Sequence, residues 1–170
     1  MRAASADEES TDPTKGASMR RKDREQSEEF GWNVLETCPY AVLSTTDDEG
    51  LPYGIPVSPA VLDGVIYFHS AKHGTNRSFT QHPDVCLVGV RDVVPLPEAY
   101  STEYASAVVH GTVAEVTDDA ERIAALRAIA ERYAGREPRN FEAALAEELS
   151  RTLVWKITPT EITAKARLHE

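Results

Sequence analysis

Three prolines in the stretch L-P-Y-G-I-P-V-S-P-A-V, Leu51 to Val61, constrain this chain more than any other feature. The stretch is apolar and extended, yet Pro52, Pro56 and Pro59 each lack a backbone donor, so they cannot all lie in the middle of a sheet. The run must be an edge strand, or bulged, or face a ligand instead of a neighbouring strand. Its flanks are strand-like too. Y-A-V-L-S-T-T at Tyr40 to Thr46 precedes it across the polar turn Asp47-Asp48-Glu49-Gly50, and Asp63-Gly64 turns the chain into V-I-Y-F at Val65 to Phe68.

The remaining periodicities complete the pattern. Ser27 to Thr37 predicts a short helix burying Phe30, Val34 and Leu35 and stopped before Pro39. A helix is expected from about Thr75 to His82. Val85 to Val90 predicts a strand, buried on both faces if its continuous apolarity is taken literally. Ala105 to Val116 predicts a longer strand with Gly111 as a bend or bulge. In Thr117 to Ala134, Thr117 or Asp118 is the cap, Ile123, Leu126, Ile129, Ala130 and Tyr133 form one stripe, and Gly135 ends the helix. Phe141, Leu145 and Leu149 mark another helix at four-residue spacing. Thr152 to Ala166 closes the chain as a strand pair or one bent strand. Antiparallel strands with short turns and helices gathered late give an α+β chain, mainly β: a small barrel with peripheral helices.

Composition excludes several classes. A net charge of -10 argues against nucleic-acid and membrane-surface binding, which need a basic face. Cys38 and Cys86 sit in apolar contexts and read as buried thiols of a reducing compartment, and no apolar run reaches membrane-spanning length. A cytoplasmic protein is expected. Residues 1–18 lack large apolar side chains apart from Met1 and are expected to be a disordered tail, with residues 19–170 forming the domain and Met19 a second candidate start.

The chemistry-bearing segment is V-I-Y-F-H-S-A-K-H-G-T-N-R-S-F, Val65 to Phe79. An aromatic strand ends in a turn rich in hydroxyl, amide and cationic donors. Gly74 would let a ligand approach the backbone, and a helix starting near Thr75 would aim unpaired N–H groups at an anion. The same residues also suit an ordinary strand-to-helix turn with a solvated polar face. His69 could instead be a satisfied structural histidine, Lys72 a solubilising charge, and Ser44 and Thr45 plain strand hydroxyls. Tyr104, His110 and Trp155 read as structural. There is no G-x-S-x-G, Cys-x-x-Cys, H-E-x-x-H or P-loop motif.

Taken in order, M-R-R-K-D-R-E, Y-A-V-L-S-T-T-D-D-E-G-L-P-Y-G-I-P-V-S, I-Y-F-H-S-A-K-H-G, D-V-C-L-V-G-V, L-P-E-A-Y-S-T-E-Y-A-S-A-V-V-H-G and K-I-T-P-T-E-I-T-A-K-A resemble the pyridoxamine 5'-phosphate oxidase-like flavoproteins. The closer resemblance is to the branch containing nitroimidazole-resistance nitroreductases, and it runs from Met19 to about Ala166. It implies a split β-barrel, a homodimer, and FMN in a groove between the subunits. It places the flavin phosphate near His69, Ser70 and Lys72, with Asn76 or Arg77 following, and the ring against the backbone of Leu43, Ser44 and Thr45 and of Pro56, Val57 and Ser58. The chain departs from relatives in offering Asn76 and Arg77 where a lysine is often found, and Ala164 where T-G-K-A has glycine.

The absence of side-chain catalytic motifs agrees with a cofactor-borne reaction. The resemblance implies an FMN-dependent oxidoreductase acting on small, electron-poor aromatic substrates, with His69 anchoring the cofactor. Alternatives are a non-catalytic flavin, deazaflavin or haem binder, with His69 or His73 ligating iron, and pyridoxamine phosphate oxidation. The last would need a second basic cluster for the substrate phosphate, which the sequence does not display.

Overall fold

A computed structural model describes residues 21–72, 76–135 and 140–168, with only the backbone described at 76 and 77. The expected N-terminal tail, His73, Gly74 and Thr75 lie outside these residues. In chain order the elements are β1 (Glu25–Gln26), α1 (Glu28–Thr37), β2 (Ala41–Thr46), β3 (Pro52–Val57), β4 (Ala60–Leu62), β5 (Val65–Ala71), α2 (Asn76–Gln81), β6 (Asp84–Leu96), β7 (Ser101–Glu115), α3 (Asp119–Ala134), α4 (Phe141–Glu148) and β8 (Thr152–Arg167). The strands form one antiparallel sheet ordered β3-β2-β6-β7-β8-β5-β4, with β1 added on β8.

The proline run explains why this barrel is split. β3 is one end of the sheet order and β4 the other, so the chain crosses from edge to edge through Ser58 and Pro59 alone. It is a bend where the chain changes edges. A proline suits a ladder only where its missing N–H would have pointed away from the partner strand. Pro52 and Pro56 share that parity in the pairing with β2, opposite Thr46 and Val42. The outer edge of β3 therefore carries the Gly54 amide between two positions that have none. The two ends of the sheet share one core, in which Leu43 of β2 joins Ile66 and Phe68 of β5, with Ile55, Val57 and Val61 packed against it. This is the split β-barrel with peripheral helices.

Local signals hold the helices in place. Ser27 caps α1 by accepting from the Phe30 amide at 3.1 Å, and Asp118 caps α3 by accepting from the Glu121 amide at 2.8 Å. Gly135 follows α3 at φ 101°, a conformation that favours glycine. β8 is one long strand. Its register against β7 shifts between His110 and Gly111, where Thr160 is the extra residue and donates to the His110 carbonyl at 3.1 Å. A Cβ at Gly111 would come within 2.5 Å of the Thr158 carbonyl oxygen, so the close approach requires glycine.

One expectation is corrected. The Val85 to Val90 segment, at the start of β6, is buried on one face only: Val85, Leu87 and Gly89 are buried while Cys86, Val88 and Val90 are half-buried. The sheet is antiparallel and its helices leave that outer face open, so apolarity there does not report two-sided burial. Cys38 is buried, Cys86 is half-buried, and both are free.

Candidate functional site

Strand alternation divides the predicted anion grip. Along β5, Ile66, Phe68 and Ser70 face the barrel interior, whereas Tyr67 and His69 face outward. Ser70 accepts a hydrogen bond from Trp155 Nε1 at 3.0 Å. Phe79 of α2 stands edge-on to both Trp155 and Phe68, at centroid separations of 5.0 and 5.9 Å. These aromatics seat α2, whose residues pack against β2 and β7, so the short helix spans from the end of β5 back toward the other end of the sheet.

His69 faces a cavity of about 390 Å³ between β5, α3 and α4, with apolar walls from Leu126, Ile129, Phe141 and Leu145 and Glu148 at its rim. His69 itself is exposed, and partial shielding of its imidazole by these walls lowers the pKa through desolvation. His69 is thus a neutral hydrogen-bonding group at neutral pH, not a fixed cation. Lys72 lies beyond the strand end, its amide donating to the Arg151 carbonyl at 3.2 Å, in a separate groove with Asp119, Arg122 and Glu142. Asn76 and Arg77 open α2 by backbone, and their side chains lie outside the described residues. His69 and Ser70 accordingly belong to opposite faces, with Lys72 beyond the end of the strand.

The residues expected against a ring lie across the split. Leu43 is fully buried in the core, Thr45 nearly so, and Ser44 is exposed, paired with Gly54 on one side and Cys86 on the other. Pro56 is exposed, Val57 is half-buried against the core, and Ser58 is exposed. Val42, Ser44, Gly54 and Pro56 share the outward face of β2 and β3 by register. Next to them, Tyr40, Val42, Val88, Val90 and Val93 line a groove of about 700 Å³. In the strand order Ser44 on β2 and His69 on β5 are separated by β6, β7 and β8 on one side and by β3, the split and β4 on the other.

Two side-chain networks escaped sequence reading. Tyr67 donates to Glu121 at 2.9 Å, and Lys156 donates to the same carboxylate at 2.9 and 3.2 Å, tying α3 to β5 and β8. Burial first, then the Glu121 carboxylate, pushes the Tyr67 hydroxyl up to about 12. The Lys156 hydrogen bond holds Glu121 below the usual carboxylate value. At the end of α3, Arg132 donates to the carbonyls of Pro59 and Cys38, and Tyr133 donates to Pro59 at 3.1 Å. Arg132 carried no signal in the sequence because a cation in the last turn is what the helix dipole already favours. The fold also gathers Arg21, Arg24 and Arg167 around one groove, a basic group invisible in the sequence, with Arg21 spent on Asp23 and Arg167 on Ser101.

A family model described as pyridoxamine 5'-phosphate oxidase matches residues 27–166. The chain belongs to that family. No curated protein matches it in sequence. Among solved structures, it is similar to a candidate 5-nitroimidazole antibiotic resistance protein of Bacteroides thetaiotaomicron, with 20% identity, TM-score 0.69, and coverage of 82% of this chain and 84% of that one. It is similar to the flavocytochrome Anf3 of Azotobacter vinelandii, at 20% identity, TM-score 0.73 and coverage of 89% and 72%. A FAD-binding protein of Mesorhizobium loti matches at 19% identity, TM-score 0.63 and coverage of 85% and 98%. At these identities the likeness establishes the fold. Among the described residues, no helix is long and apolar enough to cross a membrane, and no three His, Cys, Asp or Glu side chains cluster to hold a metal.

Proposed function

We propose that the protein is an FMN-binding oxidoreductase, working as a homodimer, that reduces small electron-poor aromatic molecules such as nitroimidazoles. The observation that carries this reading is the split itself: the free edge of β3 presents backbone, with the exposed Ser58 at its end and the exposed Ser44 on neighbouring β2, and across the split β5 presents His69 beside an apolar cavity. Family membership and the likeness to a FAD-binding protein and a flavocytochrome support a flavin, and the likeness to a nitroimidazole-resistance candidate supports the substrate class.

The donor set suits the cofactor. FMN needs peptide or hydroxyl groups at its ring edge and amide or cationic groups at its phosphate. The backbone of Leu43 to Thr45 and of Pro56 to Ser58 would hold the ring, and Lys72, Asn76 and Arg77 the phosphate, with Ser70 turned inward to Trp155. Bound FMN would supply the electron transfer. The chain's contribution is binding, orientation and exclusion of water, with neutral His69 offering a hydrogen bond instead of a charge. Ser44 and His69 stand on separate strands with the split between them, and in this reading a second copy of the chain completes the enclosure of the cofactor. The outward apolar groove at Tyr40, Val42, Val88 and Val90 is the face offered to it.

Absorbance of the purified protein after incubation with FMN tests the reading. A perturbed flavin spectrum and oxidation of reduced nicotinamide dependent on a nitroimidazole are expected. A Soret band on adding haem, with no flavin bound, would move the assignment to haem, and a protein that binds neither would end it.

A further inference from the structure

The chain crosses the barrel's split at Ser58 and Pro59, and the side chains that hold this crossing come from α3, more than seventy residues later. Arg132 forks its guanidinium between two carbonyls: Nη1 donates to Pro59 and Nη2 to Cys38 at 2.6 Å, with Cys38 Sγ 3.7 Å away. Tyr133 donates its hydroxyl to the same Pro59 oxygen at 3.1 Å. The guanidinium lies 5.0 Å from the Tyr133 ring centroid, so each group braces the other. Pro59 is buried while Ser58 is exposed. The linker is thus held from behind and presents Ser58 and the end of β3 outward.

We infer that Arg132, seconded by Tyr133, is a positioning residue that sets the placement of the β3–β4 crossing and so the geometry of the ring-binding edge. This rests on the flavin reading above. Val57 is laddered to Ala41 of β2 and Ala60 to Tyr67 of β5, but no ladder bond joins β3 to β4, so backbone pairing leaves Ser58 and Pro59 between them unheld. A planar five-donor guanidinium that bridges the end of α1, the crossing and α3 does so with direction as well as charge, which a lysine ammonium reproduces only in part. Thr160, at the β8 bulge, is an internal comparison: its hydroxyl donates to the His110 carbonyl at 3.1 Å.

The experiment compares Arg132→Met, Arg132→Lys, Tyr133→Phe and Thr160→Ala in the full chain. FMN dissociation constants and the visible spectrum of bound flavin are read together with thermal midpoints and amide exchange of residues 57–61 in the flavin-free protein. Arg132→Met should weaken FMN binding roughly tenfold or more and shift the flavin bands, as loss of charge-assisted hydrogen bonds predicts. Arg132→Lys should recover part of it, and exchange at residues 57–61 should accelerate. Thr160→Ala should lower the midpoint with FMN affinity within about twofold of the parent. Tyr133→Phe, which keeps the fold's charges, should follow Arg132→Met in direction and be smaller; it decides the matter if Arg132→Met does not fold. Faster exchange with unchanged FMN affinity would overturn the positioning role and leave the flavin reading standing, as would equal losses of affinity in Thr160→Ala. Failure of the parent chain to bind FMN would overturn both.

Discussion

On the inward face of β5, Ile66, Phe68 and Ser70 meet Trp155 and Phe79 in contacts that are apolar or fully paired. On the outward face, Tyr67 is tied to Glu121 and Lys156 beneath α3, and His69 looks into a cavity that α3 and α4 roof without filling. The seven residues of one strand therefore divide between a face that determines whether the barrel forms and a face where a polar group is kept accessible. A strand next to an edge of the sheet can serve both purposes because successive side chains point to opposite sides.

The inward face should break first. Phe79→Ala removes a buried ring that contacts two other aromatics and should cost about 3–5 kcal/mol, read as a shift in the denaturant midpoint with an unchanged slope. A loss below about 1 kcal/mol would mean that α2 is not seated by these rings. Next, Asp118→Ala frays the helix that covers the outward face and should cost about 1 kcal/mol through the lost cap. Circular dichroism should show lost helix while the tryptophan signal of Trp155 is unchanged.

Tyr67→Phe should cost about 1 kcal/mol, the usual worth of one such hydrogen bond, and it should alter the pH profile at both ends. Glu121 is depressed in the fold, so its contribution is present above its unfolded pKa and lost as pH falls through the folded value. Tyr67 is raised to about 12, so its contribution is present below the unfolded value near 10 and lost as pH climbs toward 12. Equilibrium unfolding from acid to alkaline pH should show the alkaline loss in the parent and not in Tyr67→Phe.

The smallest effect on stability belongs to His69. His69→Gln should change unfolding free energy by less than about 0.5 kcal/mol at neutral pH, as expected of an exposed group. Because its imidazole pKa is depressed, the parent loses stability as pH falls below about 6.5, and the variant should not show that loss. A variant that loses more stability than Tyr67→Phe would make His69 a packing residue and remove the distinction between the two faces.

Much of this architecture was open to reading from residue order. The prolines marked an edge, Ser27 and Asp118 marked helix starts, and Gly111 marked the bulge, each because the cause is local and confined to a few bonds. The apolar run at Val85 to Val90 misled because composition does not say whether a second layer will cover a strand. The candidate site was half legible. His69, Ser70 and Lys72 stood out as a polar cluster, yet linear adjacency suggested a shared face that the pleat denies to His69 and Ser70.

The sequence by itself determined most of the element order, the family, and that the proline run could not lie in the middle of a sheet, since periodicity, caps and missing donors act over short stretches of chain. Only the tertiary structure decided that β3 and β4 become opposite ends of one sheet, that α3 and α4 make a cavity over His69, and that Arg132 reaches back to Cys38 and Pro59. Those arrangements depend on which distant segments come to share a core, and no short-range pattern of residues encodes that choice.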